Sequence, residues 1–370
     1  MQRVSTCTKT GLSLWLALQL CLPAGLLAAP GDLARVEQLQ KQSTLWVLSI
    51  GIAEYADTRL NLAHADRDAA KIAQAFAAQE GRLFRQVQKR VLVNAQATRA
   101  EILRALSQFL GQAGTADVVL IFFAGHGAQD RQSSTYYFVP HDANADNLYY
   151  AGLGMPMLAQ TCRRLQATVE QVVLLFDTGR PSADSAAGRS LNAGKDLATV
   201  LPRDAGLSWV SAHKPGEAAP ASGIYKFAGE KHGAFSTSLL RALQGAAADD
   251  RGLVWLGNLL TYISQEVPQL TSGRQHPHGQ LDGRNLPLFR TDAAVDRLLS
   301  QSVSIATYAQ RESLQDNKEQ GGSGLTLLWL LLVGAAAAGG ALLTGSSDGG
   351  GDPTAPGPSI IPPPPSLPDE

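Results

Sequence analysis

Two side chains stand where this chain could do chemistry, His126 and Asp177. His126 follows the apolar run Val118-Val119-Leu120-Ile121-Phe122-Phe123-Ala124 and lies between Gly125 and Gly127. A second apolar run, Val172 to Phe176, ends in Asp177. Both runs have the length and composition of buried strands. The two side chains therefore fall at strand carboxyl ends, where α/β sheets hold their ligands. Imidazole exchanges protons near neutral pH. A carboxylate at a strand end can hold a cation, or simply bond the amides of a turn. The other six of the seven histidines lie in polar or loop-like contexts and read as surface or core residues.

Nucleophiles are scarce around these two. Thr178, Ser182 and Ser185 are the nearby hydroxyls, and each needs a base within reach before it can attack. If the strand persists, Thr178 points to the face opposite residue 179. Ser182 follows Pro181, which stiffens its loop. Three cysteines are too few for a disulfide framework. Cys7 and Cys21 belong to the N-terminal segment. Cys162 lies alone in a helical stretch, Met157 to Leu165, and reads as a small buried hydrophobe.

The elements that must carry these residues alternate. From about Leu45 to Arg290, apolar strands exchange with helical segments, the pattern of an α/β domain. Strands are expected at Leu45–Ile52, Val118–Ala124, Tyr136–Pro140, Val172–Asp177 and Leu207–Ala212. Helices are expected from Asp66 to Gln79, after the capping box Thr98-Arg99-Ala100-Glu101, from Phe235 to Leu243 and from Trp255 to Val267. Asp68 falls in the first turn of one of them, where the dipole favours acids anyway, and Asp66 competes for any role it has.

The blocks Leu48-Ser49-Ile50-Gly51-Ile52, Asp66-Arg67-Asp68-Ala69, Phe123-Ala124-Gly125-His126-Gly127 and Tyr137-Phe138-Val139-Pro140 appear in that order. Ser211-Ala212, Gly233-Ala234-Phe235-Ser236 and Gly273-Arg274-Gln275-His276-Pro277 follow. Together they resemble the caspase-like peptidases, including metacaspases and their bacterial relatives, over nearly all of residues 45–290. The resemblance implies a mostly parallel sheet flanked by helices. It also implies His126 as general acid/base, with the amides of Gly127 and Gly179 as the oxyanion hole. Asp68 and Asp177 would form an acidic pocket for Arg or Lys, a carboxylate pair suited to the guanidinium fork. Two departures stand out. The strand that ends Asp-Ala-Cys or Asp-Ser-Cys in the family ends Asp177-Thr178-Gly179 here, so the nucleophile's position has no side chain. The serine that often precedes Gly-His is Ala124.

With 370 residues, 45% hydrophobic and 17% charged, the chain has globular composition, and a net charge of −1 gives no reason to expect a nucleic-acid partner. Residues 1–29 read as a secretory signal or uncleaved anchor, with Arg3 and Lys9 before an apolar stretch and Ala28-Ala29 as the small-residue site. The caspase-like domain is expected over 44–290, then a polar tether over 291–323 and an uncharged membrane span over 324–344. A Gly/Pro-rich tail, expected to be extended, covers 345–370. The export signal places the domain outside the cytoplasm, although the charges around the span (Arg311 and Lys318 before it, acids only after it) run against the positive-inside rule. No metal or cofactor is expected. The expected function is binding of basic peptide segments by a membrane-tethered domain that has lost peptidase activity. An endopeptidase cleaving after Arg or Lys through another nucleophile, and a structural membrane-linked adaptor, are the alternatives.

Overall fold

The computed structural model describes residues 30–130, 135–144, 146–179, 207–214, 217, 225–282, 284–292, 296 and 299. All fall within the first of the chain's two units, Met1–Gln315. The expected signal, the loop from Arg180 to Gly206, most of the tether, the span and the tail lie outside the described residues. Among the described residues, no helix is long and apolar enough to cross a membrane.

A central sheet organises the domain. Its strands are β1 (Thr44–Gly51), β2 (Gln86–Val93), β3 (Val118–Gln129), β4 (Tyr136–Phe138), β5 (Leu153–Gly154), β6 (Gln171–Gly179), β7 (Ser208–Ser211) and, after two hairpin strands β8 (Tyr225–Phe227) and β9 (Glu230–His232) and strand β10 (Leu253–Trp255), β11 (His278–Gln280). The order across the sheet is β11-β7-β6-β3-β1-β2. Pairing is parallel from β7 through β2, and β11 joins the edge antiparallel. The last strand, β12 (Pro287–Arg290), pairs with β10 in a separate ribbon. This is the mostly parallel α/β architecture expected from the sequence.

Because side chains alternate along a strand, β3 and β6 feed two cores. Val118, Leu120, Phe122 and Ala124 share one with Val173 and Leu175, under the helices Ala65–Ala77, Ala234–Arg241 and Leu256–Leu270. Val119, Ile121 and Phe123 share the other with Val172, Leu174 and Phe176, under Arg99–Arg104 and Met155–Gln166. The Thr98 hydroxyl caps its helix by accepting the Glu101 amide, as the capping box predicts.

Three boundaries differ from expectation. The strand expected to stop at Ala124 runs to Gln129, because β4 folds back and pairs with residues 127–129. The strand expected to stop at Asp177 continues to Gly179 in register with β3. A helix, Pro30–Gln42, precedes β1, so secondary structure begins ahead of residue 44.

Candidate active site

His126 lies within β3, and its register partner on β6 is Gly179; Gly125 pairs with Thr178 and Ala124 with Asp177. Paired residues of parallel strands share a face. The position opposite His126 in the register therefore carries no side chain. Its amide donates to the Tyr55 hydroxyl at 2.9 Å, and its carbonyl accepts the Val139 amide at 3.0 Å. Nε2 lies 2.8 Å from the Leu60 carbonyl. A carbonyl only accepts, so Nε2 carries the proton and Nδ1 keeps the lone pair. The Tyr55 ring packs on the imidazole, with centroids 5.4 Å apart. Burial pushes His126 down to about 4, and burial also pushes the Tyr55 phenol well above its ordinary range. At neutral pH this histidine is uncharged.

With both main-chain groups of His126 committed to Tyr55 and Val139, the ladder step at His126↔Gly179 falls to Gly179 itself and to the residues flanking His126 on β3. The two amides that the family resemblance assigns to an oxyanion hole are thus drawn into the sheet. Gly127 is glycine for a packing reason as well: a Cβ there would overlap the Tyr136 hydroxyl.

Asp68 and Asp177 do converge. Asp68, buried on the first turn of Ala65–Ala77, accepts from His232 Nδ1 through Oδ1 at 2.6 Å and from the Gly233 amide through Oδ2 at 3.3 Å. Asp177 accepts the Ser236 hydroxyl through Oδ2 at 2.7 Å. A Cβ built on Gly233 would stand 3.4 Å from Oδ2 of each acid. Burial first, and the Asp68 charge second, push Asp177 up to about 7 against the Ser236 hydrogen bond. Asp66 has other work. Its oxygens accept from the Arg67 amide and from Asn94 Nδ2, whereas Asp68 is the acid that approaches Asp177 at Gly233.

Among the described residues, the other candidate nucleophiles are badly placed. Thr178 is buried on the face opposite Gly179, and its hydroxyl makes no hydrogen bond. Cys162 is buried in the second core, where burial pushes its thiol up to about 12. Ser182 and Ser185 lie outside the described residues. The side chains bonded to the candidate site that sequence reasoning missed are Tyr55, His232 and Ser236. His232 read as one more surface or core histidine, yet it is fully buried against an acid 164 residues away. Its only local signal is adjacency to the Gly233–Ser236 block.

A parallel sheet that delivers a buried histidine and an acid pair at its carboxyl end has the architecture of a caspase-type peptidase. The chain belongs to the caspase domain family, whose model matches residues 44–283. No curated protein matches the chain. Among solved structures, the crystal structure of protein GSU0716 from Geobacter sulfurreducens is similar, at 18% identity and a TM-score of 0.46, over 70% of this chain and 97% of that one. Likeness at that level says nothing about activity.

Proposed function

We propose that this caspase domain binds basic protein segments and does not cut them. The observation that carries the reading is the empty partner of His126: Gly179 stands in register with the imidazole and offers nothing to attack with. The Asp68/Asp177 pair beside Gly233 supplies negative charge for a lysine or arginine side chain. The purified full chain is expected to show no turnover of fluorogenic Arg or Lys peptides. Turnover that disappears in His126→Ala would overturn the proposal.

The proposal extends to location: an exported domain tethered by 324–344 and held outside the cytoplasm. Its support is the export-type sequence of residues 1–29 together with the uncharged stretch near the C-terminus. A reporter active only outside the cytoplasm is expected to work when fused after Arg290 and to be silent after Glu370. The opposite pattern would mean that the charges around the span set the orientation.

A further inference from the structure

The four carboxylate oxygens of the acidic pocket are not equivalent. Both oxygens of Asp68 are engaged, one by His232 Nδ1 at 2.6 Å and the other by the Gly233 amide at 3.3 Å. Asp177 has Oδ2 engaged by Ser236 at 2.7 Å. A guanidinium fork asks for both oxygens of one carboxylate, coplanar and open. Neither acid offers two unengaged oxygens. An ammonium is less demanding: it is a compact charge with three rotatable donors and can take one remaining lone pair from each of two separate acids.

Gly233 leaves room for such a group. The position its missing Cβ would occupy is equidistant, at 3.4 Å, from Asp68 Oδ2 and Asp177 Oδ2. Gly233 and Asp177 are partly open to solvent, whereas Asp68 and His232 are buried behind them. The cradle therefore has an open front and a fixed acidic back wall. Fixing comes from the β8–β9 hairpin, which carries His232 and spans the sequence distance to Asp68 with a single short hydrogen bond.

We propose that this pocket selects lysine over arginine, and that His232 sets the preference by occupying the Asp68 oxygen a guanidinium would need. The inference rests on the reading of the site as a pocket for basic segments. His232 is a positioning residue: it acts on the ligand through Asp68.

The test measures binding of three matched peptides, differing only in a central Lys, Arg or norleucine, to the full chain in detergent. Wild type is expected to bind the Lys peptide about fivefold or more tighter than the Arg peptide, roughly 1 kcal/mol of discrimination. His232→Leu frees the Asp68 oxygen and is expected to bring the Lys/Arg ratio to one or below. His232→Asn keeps a donor facing Asp68 and is expected to preserve it. Gly233→Ala puts a methyl in the cradle and is expected to cost the Lys peptide about tenfold or more. The backbone of Gly233 (φ −67°, ψ 161°) accepts an alanine, so this variant remains informative if His232→Leu does not fold. Arg bound as tightly as Lys by wild type, or Lys affinity unchanged in Gly233→Ala, overturns the lysine preference and leaves the basic-segment reading standing. Norleucine bound as tightly as both basic peptides removes the two together.

Discussion

Asp177→Asn is expected to weaken binding of a lysine peptide by about 30-fold or more at pH 8, because losing one partner of a desolvated charge pair costs about 2–5 kcal/mol. Asparagine keeps the shape and an acceptor for Ser236, so the loss reports charge. The pH profile gives a second readout. The Asp177 carboxyl sits at about 7, raised by burial and by the Asp68 charge. Below that pH the empty pocket holds a proton that a bound cation must expel. Wild-type affinity is therefore expected to be about tenfold weaker at pH 6 than at pH 8. His126, pushed down to about 4, stays neutral throughout this window and adds no slope of its own. Asp177→Asn is expected to remove the contribution of Asp177 and flatten the profile. Stability moves the other way. A carboxyl with a raised folded-state pKa binds its proton more tightly when folded, so folding loses stability as pH rises from the ordinary carboxylate range through about 7. The asparagine has no such cost, and Tm at pH 8 is expected to be unchanged or higher. Unchanged affinity in this variant would show that the acid pair is not the binding site.

Gly179→Cys is expected to produce turnover that is detectable, weak and abolished by His126→Ala. The register sets a thiol at 179 opposite His126 on the neighbouring strand. Three features keep the rate low. The desolvated imidazole, at about 4, is a poor proton acceptor for a thiol. The amides of Gly127 and Gly179 are drawn into the ladder, so an oxyanion meets no free pair of donors until the strands part. Pro181 biases Arg180 away from helical angles, in a segment outside the described residues. Small misplacement of a nucleophile costs about 10²-fold, and Gly179→Cys with Pro181→Ser is expected to outperform the single change. Complete inertness of both variants, with a thiol that still alkylates, would mean that the cleft no longer holds catalytic geometry at all.

Much of this was legible in the sequence, for an identifiable reason. β1, β3 and β6 are buried on both faces and read as continuous apolar runs, and the residues at their ends fix where a site must be. β2, with Gln86, Gln88 and Lys89 in it, lies at the sheet edge and carries a weaker pattern. The three-residue strands β8, β9 and β11 are too short for any period to show. The carboxyl ends of β3 and β6 were read short for a different reason. Both extensions depend on a partner strand, and glycines at 125, 127 and 179 look like turns when that partner is unseen. Asp177 shows at the end of an apolar run, and Asp68 as its pocket partner only through family resemblance. Their holders, His232 and Ser236, do not show, because a hydrogen bond between segments so far apart leaves no local trace.

The neighbouring positions of β6 and β7 have a consequence for the life of the chain. The two strands pair from Val173↔Ser208 to Phe176↔Ser211, and the polypeptide between them runs from Arg180 to Gly206. Asp177 is bonded to Ser236, and Asp68 to His232, from opposite ends of that stretch. Should a protease cut between Arg180 and Gly206, the halves would remain stitched through one sheet and one pocket. The expected product is a two-chain protein, a single species by native gel filtration and two bands on a denaturing gel. Separation of the halves under native conditions would show that the β6–β7 seam cannot hold them.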